Sequence, residues 1–382
     1  MTVNKVAVVG VSQTRFEEKM IDRNYADLVY EVTTGALNDA GMTIDQIDNV
    51  VTVSNDFWDG RTISSMAVMD ACGSYGKNVS TVEGDGTFGV LYGAMRIWAG
   101  SFGTTLVVAH SKGSEGSPFL ITNSMFDPFY YRPLGLDAIS SSALQAQAYI
   151  DRRGAAVEDW AAVSVKNHKN AKNNPHAQLA LDLTVGQVMS SPMKCQPLKR
   201  LDCSPVSDGA CAVILAGEER ANQSRQKSVW LKGVGYAAEL HYLGDRDLSN
   251  PIALTQAAKK AYAMAGITNP SEEIDFMEIY DAFSYMEPLW LEGLGVCPPG
   301  EGGKLTSSGM TGMKGRQPVN ASGGVLSAHA VLVAGLVRII EVVLQIRGKA
   351  GARQLEKAQT GLAHGINGPC GQSHCVWILG SN

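Results

Sequence analysis

The sequence predicts an α/β protein made of two similar halves with a long insertion between them. Short apolar runs alternate with longer amphipathic segments, which is the pattern of strands and helices that pack in layers. A pattern of A-x-x-x-A-G-[M/I]-T, followed by I-D, occurs at 36–48 and again at 261–275, and the two Ala-Gly pairs lie 225 positions apart. Internal similarity at a fixed offset is the mark of a duplicated fold.

The first copy reads as a strand, a helix and a second strand, and the second copy repeats that order. The predicted segments are 6–9, 25–40 and 50–53 in the first copy and 229–234, 253–265 and 276–279 in the second. Gly41 and Gly266 follow the two helices and are typical C-cap residues, because glycine adopts the left-handed conformation without strain. The strand sequences VVGVS and GVGYA share the offset of 225, so the repeat covers strand and helix alike.

Each half later carries a second helix that ends in glycine, GVLYGAMRIWAG in the first and AGLVRIIEVVLQIRG in the second. The strands expected to follow these helices are 105–109 and 376–379. His329 is expected to open the apolar helix HAVLVAGLVRIIEVVL.

The stretch between the halves has a different texture. It begins with the aromatic sequence SEGSPFLITNSMFDPFYYRPLGLDAISS, and helical patterning follows at 142–170. An insertion of this length in a compact fold is typical of a substrate-binding region or lid, and equally of a segment that stabilises a dimer. We expect a first half at 1–115, the insertion at 116–200, a returning strand at 201–225 and a second half at 226–382.

Composition excludes several classes of protein. The net charge of −5 gives no basic footprint for nucleic acid, and no apolar run approaches the roughly 20 residues of a membrane-spanning helix. The seven cysteines are scattered without a CxxC or zinc-finger spacing, which predicts free thiols, a cytoplasmic location and no metal in this chain.

The stretch TVEGDGTFGVLYGA at 81–94 has the layout of a strand, a tight turn and a helix start. Many enzymes place a nucleophile at such a turn, because the backbone N–H groups and the helix dipole favour negative charge there. This turn contains Asp85 and Gly86 but neither Cys nor Ser. Asp85 either caps the helix or takes part in the chemistry, whereas Glu83 is expected only to cap.

Four motifs along the chain resemble those of the thiolase superfamily. They are PLKRLDCSPVSDGACAVILA at 197–216, EIYDAF at 278–283, PVNASGGVLSAHAVLVAG at 318–335 and GLAHGINGPCG at 361–371. The resemblance is strongest to the archaeal and sterol-carrier-type branch. It implies a thiolase fold, in which two βαβαβ halves form a five-layered α-β-α-β-α core with an inserted loop domain.

The resemblance also assigns roles to single residues. The position of the nucleophilic cysteine, in V-E-x-x-C-x-S-G, is Gly86 here, and the first residue of the H-D-A-F or N-E-A-F motif is Tyr280. The histidine of G-H-P is retained as His329. Cys370 is a possible displaced nucleophile and Asn320 a possible water-ordering residue. The residues expected to bind substrate or coenzyme A are Phe88, Gly89, Ser322, Gly323, Gly324 and Gly368.

Two routes keep this machinery without an acyl-enzyme. In the slightly favoured one, the thiol of coenzyme A attacks a bulky or aryl β-ketoacyl-CoA directly, with His329 as base and the coenzyme sulfur in the space that Gly86 leaves open. Backbone N–H groups of residues 86–89 would then bind an oxyanion. This route resembles the one expected for benzoylsuccinyl-CoA thiolase. In the other route, which resembles the aldolases of steroid side-chain degradation, Tyr280 takes the hydroxyl proton of a β-hydroxyacyl-CoA in a retro-aldol cleavage.

A third hypothesis is a non-catalytic thiolase-fold subunit that binds acyl-CoA. The retained His329 and the intact glycine-rich turns speak against it. The resemblance further implies coenzyme A as a substrate, a homodimeric core, and a small partner subunit with a zinc ribbon and an OB-fold.

Overall fold

The computed structural model describes residues 5–381 of the chain, so the terminal residues of the two expected halves lie outside it. Eleven strands are present among the described residues: β1 (Val6–Gln13), β2 (Asn49–Val53), β3 (Asn78–Val82), β4 (Thr104–Lys112), β5 (Met193–Cys195), β6 (Leu198–Lys199), β7 (Asp208–Gly217), β8 (Val229–Ala238), β9 (Phe276–Glu278), β10 (Thr360–Asn367) and β11 (Ser373–Gly380).

The α-helices are distributed over both halves and the insertion. In chain order they are α1 (Tyr25–Ala40), α2 (Asp56–Asp59), α3 (Gly86–Trp98), α4 (Pro118–Ser124), α5 (Ala138–Arg153), α6 (Val157–Ala171), α7 (Val185–Met189), α8 (Glu218–Ala221), α9 (Ile252–Ala265), α10 (Pro270–Glu273), α11 (Met286–Gly293), α12 (Gly302–Ser307), α13 (Gly324–Ser327) and α14 (Ala334–Ile346). None of them is long and apolar enough to cross a membrane.

Nine strands form one mixed sheet in the order β3-β2-β4-β7-β1-β8-β11-β10-β9. In the first half, β2 runs parallel to β3 and β4, and β7 runs antiparallel to β4 and β1. The second half repeats this arrangement, with β9 parallel to β10 and β11 antiparallel to β10 and β8. The halves meet where β1 and β8 pair over two residues each. The predicted duplication is therefore confirmed.

One predicted correspondence is wrong. Residues 376–379 lie in β11, which corresponds to β7, whereas the counterpart of β4 is β10. Glycine and histidine interrupt the apolar pattern of β10, TGLAHGIN, so sequence alone does not mark it as a core strand.

Helices separate the two halves and cover their outer faces. The helix α1 packs on the outer face of the first half and α9 on the outer face of the second, while α3 and α14 lie between the two inner faces. This gives the five layers that the thiolase resemblance implies. The helix α14 begins at Ala334, so His329 lies in the irregular segment before the helix and does not open it as predicted.

The two outer helices are held against their strands by glycines. Gly41 and Gly266 end α1 and α9 in the left-handed conformation, with φ of 68° and 72°, so the helix repeat holds at the offset of 225. In the strands, the two glycines that contact equivalent helix residues are not 225 positions apart. A Cβ on Gly10 would lie 2.4 Å from the carbonyl oxygen of Ala36, and a Cβ on Gly233 would lie 2.2 Å from that of Ala261. The structural equivalent of Gly10 is thus Gly233 and not Gly235, a shift of two residues that keeps the same face of the strand.

Gly235→Ala tests this close approach of α9 to β8. The new Cβ would lie 1.8 Å from the carbonyl oxygen of Ala257, so the helix must move away from the sheet. We expect the free energy of unfolding to fall by about 3 kcal/mol, measured by urea denaturation. The control is Gly186→Ala in the exposed helix α7, which should be neutral or stabilise by about 0.5 kcal/mol. Equal stability of the two variants would contradict the packing described.

Candidate active site

A cavity of about 600 Å³ opens where the two halves and the insertion meet. The turn after β3 and the segments after β9, before β7, before α14 and between β10 and β11 all contribute to its wall. The insertion supplies much of the apolar lining, through α4, the residues that follow it and the start of α5. Among the described residues that line the cavity, five are predicted site residues: Asp85, Tyr280, His329, Gly368 and Cys370.

A chain of three side chains lies at the cavity wall. The Tyr280 hydroxyl oxygen is 2.7 Å from His329 Nε2, and the Ser204 Oγ is 2.8 Å from His329 Nδ1. The rings of Tyr280 and His329 are nearly perpendicular, at 87°. The His329 backbone is itself fixed, because its N–H donates to Ser207 Oγ and its carbonyl accepts from the Ser207 N–H. Ser204 was not predicted, although it lies in the recognised segment 197–216.

Burial sets the protonation states of this chain. Desolvation and the nearby Arg338 guanidinium lower the pKa of His329 to about 4, so its imidazole is neutral near pH 7. Desolvation, reinforced by the charge of Asp85, raises the pKa of Tyr280 well above 10. Tyr280 is therefore a phenol that can donate to His329 Nε2. The remaining proton of the imidazole is then on Nδ1, where Ser204 Oγ accepts it.

Asp85 joins the N-termini of the two central helices. Its Oδ1 accepts from the Thr87 N–H at 3.0 Å and the Thr87 hydroxyl at 2.6 Å, while its Oδ2 accepts from the Gly335 N–H of α14 at 2.7 Å. Burial raises the pKa of Asp85 to about 6, and these hydrogen bonds oppose the shift. Asp85 thus caps both helices while one edge of it reaches the cavity.

The expectation that Gly86 leaves an open space is wrong. A Cβ at this position would lie 2.4 Å from Leu336 Cβ and 2.9 Å from the Leu336 backbone nitrogen, and Gly86 does not line the cavity. The expected oxyanion site at the same turn is also occupied. The Gly86 N–H donates to the Leu332 carbonyl, and the N–H groups of Thr87 and Phe88 donate to Asp85.

Five predicted binding residues lie away from the cavity wall. Phe88 packs edge-on against Tyr236 of β8, with ring centroids 5.4 Å apart, and Gly89 lets α3 approach Val53 of β2. Both were predicted as binding residues because they lie in the helix that follows the turn. The other three lie together: Ser322 and Gly323 are in the turn before α13, and Gly324 is the first residue of that helix.

That turn, with Asn320, belongs to a buried polar network behind the cavity. The Asn320 side chain accepts from the Ile279 N–H at 2.8 Å, and Ser322 donates to Glu278 at 2.6 Å. A Cβ on Gly324 would lie 2.5 Å from the Asp281 carboxylate. These residues hold the segment that carries Tyr280, and they do not face the cavity.

Cys370 lines the cavity as a buried thiol. Its Sγ donates to the Ser141 carbonyl at 3.2 Å, and burial raises the pKa of the thiol to about 11. A thiol with a raised pKa is a poor nucleophile at neutral pH. Gly368 lies beside it in the connection between β10 and β11, with a φ of 78°. Within residues 5–381, no cluster of three His, Cys, Asp or Glu side chains could hold a metal ion.

Comparison with known proteins agrees with this architecture. The profile of the thiolase C-terminal domain-like family matches residues 236–381. An acetyl-CoA acetyltransferase of Methanothermobacter thermautotrophicus is 36% identical over 376 residues, covering 96% of this chain and 97% of the relative. Human sterol carrier protein 2 is 29% identical over 96% of this chain and 70% of its own length. Benzoylsuccinyl-CoA thiolase subunit BbsB of Thauera aromatica is 31% identical over 60% of each chain.

Among solved structures, the Ltp2-ChsH2(DUF35) aldolase superposes with a TM-score of 0.85. It is 26% identical, and the match covers 99% of this chain and 98% of that one. These similarities identify an enzyme of the thiolase type, either an acyl-CoA acyltransferase or a thiolase-fold aldolase. The chain belongs to the thiolase superfamily, in the branch that includes sterol carrier protein 2.

Gly86→Cys tests whether a nucleophile can be restored at the turn. The new side chain would point at Leu336 and not into the cavity, so we expect no acyl adduct by mass spectrometry after incubation with benzoylacetyl-CoA. We also expect the free energy of unfolding to fall by about 2 kcal/mol. In a Leu336→Gly background the further loss from Gly86→Cys should be smaller, because the closest clash, with Leu336 Cβ, is removed. A stable acyl-enzyme on the introduced thiol would contradict this geometry.

Proposed function

We propose that the protein cleaves the carbon–carbon bond β to a coenzyme A thioester by a retro-aldol reaction on a β-hydroxyacyl-CoA. The observation that carries this proposal is the hydrogen bond of 2.7 Å between Tyr280 and His329 at the cavity wall. It provides a path for a proton, which the retro-aldol reaction needs, while the turn at Gly86 provides no nucleophilic side chain. The sequence alone slightly favoured thiolysis, and the filled space beside Gly86 reverses that preference.

The proposed reaction is balanced by one proton that leaves and returns. The substrate hydroxyl gives its proton to Tyr280 as Tyr280 gives its own to His329 Nε2. The bond between the α and β carbons breaks, a carbonyl forms at the β carbon, and the electron pair becomes the thioester enolate. The imidazolium then returns the proton through Tyr280 to the α carbon. No oxidant, reductant or covalent enzyme intermediate is required.

The surroundings of His329 favour this transfer of a proton to and from Tyr280. Its pKa of about 4 keeps it neutral and ready to accept at neutral pH, and it returns the proton readily because the imidazolium is unstable at this site. Ser204 accepts from Nδ1, which holds the tautomer whose Nε2 faces Tyr280. We assign Tyr280 and His329 as the catalytic residues and Ser204 as a positioning residue.

The lining of the cavity favours a substrate with a bulky apolar substituent. Its wall includes the side chains of Phe57, Trp58, Phe119, Ile121, Met125, Phe126, Phe283 and Met286. Several come from the insertion at 116–200, which we propose is the substrate-binding region. Apolar lining with a few convergent polar groups is typical of a small-molecule site.

Direct thiolysis is the second candidate. The 31% identity to a benzoylsuccinyl-CoA thiolase subunit favours it, and a neutral His329 could accept the proton of a coenzyme A thiol. The coenzyme sulfur would then have to approach from the cavity, since the position beside Gly86 is filled.

A heteromeric assembly is also proposed. One similar chain is named as a thiolase subunit, and the similar solved structure is an aldolase with a DUF35 component. We infer a homodimeric core, coenzyme A thioesters as substrates, and a small partner of the zinc-ribbon and OB-fold type.

Tyr280→Phe tests the retro-aldol proposal. With 3-hydroxy-3-phenylpropanoyl-CoA as a probe, the wild type should release benzaldehyde without free coenzyme A, and the variant should lose at least about 100-fold in kcat. KM should change little, because the ring remains. Tyr262→Phe is the control, since that buried tyrosine bonds the Leu294 carbonyl outside the cavity. Cleavage only of benzoylacetyl-CoA, and only with free coenzyme A, would replace the proposal by thiolysis.

The pH dependence of kcat/KM gives an independent check. His329 must be unprotonated to accept, and its pKa is lowered to about 4, so activity should persist on acidification through pH 6.5 and fall only below about pH 5. The raised pKa of Tyr280 should prevent an alkaline loss up to about pH 10. Because the pKa of Asp85 is raised to about 6, the profile is also measured in Asp85→Asn. An acidic limb near pH 6.5 that remains in this variant would indicate a solvated histidine and would contradict the site described.

A further inference from the structure

We propose that His364 and His374 are positioning residues that hold Tyr280 through its backbone. The proposal deepens the proposed function, because it concerns the tyrosine assigned to proton transfer. His364 is on β10 and His374 on β11, both are buried, and the motif resemblance to thiolases assigns neither of them a role.

The starting point is a gap in backbone hydrogen bonding. The strand β9 ends at Glu278, so Ile279 and Tyr280 continue past the end of the ladder although both are buried. Buried backbone groups require partners, and here side chains supply them. The Ile279 N–H donates to Asn320 Oδ1, and the Tyr280 N–H donates to His364 Nδ1 at 3.4 Å. The Tyr280 carbonyl accepts from Trp290 Nε1 at 2.9 Å.

The hydrogen bonds fix the tautomers of both histidines. A backbone N–H can only donate, so His364 Nδ1 carries no proton and its Nε2 does. That Nε2 lies 2.9 Å from His374 Nδ1, which must accept. The rings are nearly parallel, at 13°, and the edge of Trp290 packs on both of them. Trp290 therefore donates to the Tyr280 carbonyl while its ring packs against the imidazole that accepts from the Tyr280 N–H.

Burial keeps this pair uncharged. Desolvation lowers the pKa of His364 to about 3 and that of His374 well below 6.5, so neither is protonated at neutral pH. A neutral pair offers Tyr280 a constant acceptor. The Tyr280 hydroxyl itself faces a third imidazole, that of His329.

The pair connects Tyr280 to the cavity rim. The His374 ring packs against Gly371, where a Cβ would lie 2.7 Å from His374 Nε2. Gly371 belongs to the connection between β10 and β11, whose neighbouring residues Cys370 and Gln372 line the cavity. Tyr280 and this connection therefore share one buried support. Because Ser207 holds the His329 backbone independently, a shift of the Tyr280 backbone would change the distance between the Tyr280 hydroxyl and His329 Nε2.

Two isosteric substitutions of His364 separate its two hydrogen bonds. In His364→Asn, the amide oxygen replaces Nδ1 and can still accept from the Tyr280 N–H, while the contact to His374 is lost. In His364→Gln, the amide nitrogen replaces Nε2 and can still donate to His374, while the acceptor for Tyr280 is lost. We expect His364→Asn to retain kcat for 3-hydroxy-3-phenylpropanoyl-CoA within about threefold. We expect His364→Gln to lose at least tenfold in kcat, with KM nearly unchanged and a similar loss of thermal stability in both variants.

Crystal structures of the two variants provide a readout that does not depend on the substrate. The distance of 2.7 Å between the Tyr280 hydroxyl and His329 Nε2 should persist in His364→Asn and exceed 3.5 Å in His364→Gln. Equal kcat values and equal distances in both variants would overturn the positioning role, even if Tyr280→Phe is inactive. If Tyr280→Phe instead keeps full activity, the proposed function fails, and the distances still decide the positioning role.

Discussion

The contact between the N-termini of the two central helices determines the geometry of the whole site. Asp85 accepts from Thr87 at the start of α3 and from Gly335 at the start of α14, and the Gly86 N–H donates to the Leu332 carbonyl. Each half contributes one of these helices, so the contact fixes the two halves relative to each other. A carboxylate suits this place because both helix dipoles present positive ends to it.

The same contact explains why the turn cannot bind a nucleophile or an oxyanion. The absence of a side chain at Gly86 allows Leu336 to pack directly against the turn, and the N–H groups at the start of α3 are used within the protein. The segment before α14 lies at the cavity wall, where the His329 side chain contacts the Tyr280 hydroxyl. In the proposed reaction, the chemistry therefore depends on the proton path between Tyr280 and His329 and not on a nucleophile at the helix terminus.

Behind this path lies a second layer of buried polar groups. Glu278 pairs with Arg338 at 2.8 Å, and Asn167 donates to Asp281 at 2.7 Å. Charges buried at this depth are costly unless they are paired and hydrogen-bonded, and here most are. Their positive member, Arg338, also lowers the pKa of His329. The support of the site is thus electrostatic as well as steric.

The sequence by itself determined the α/β class, the duplication and the extent of α1, which was predicted residue for residue. Hydrophobic periodicity, C-cap glycines and an internal repeat are local signals, so they can be read without a structure. Local motifs also indicated Asp85, Tyr280 and His329, which all reach the cavity. They misassigned Phe88, Gly89 and the turn at Ser322, because a residue beside a motif need not face the same space.

Only the tertiary structure decided what surrounds each of these residues. Leu336 is 250 positions from Gly86, and no local pattern shows that it fills the space a cysteine would need. Ser204, His364 and His374 likewise act through partners on other strands and loops. Side-chain packing and hydrogen bonding between distant segments form only when the chain folds, within one half as well as between the two. The sequence therefore indicates which groups are available, and the fold determines which of them meet.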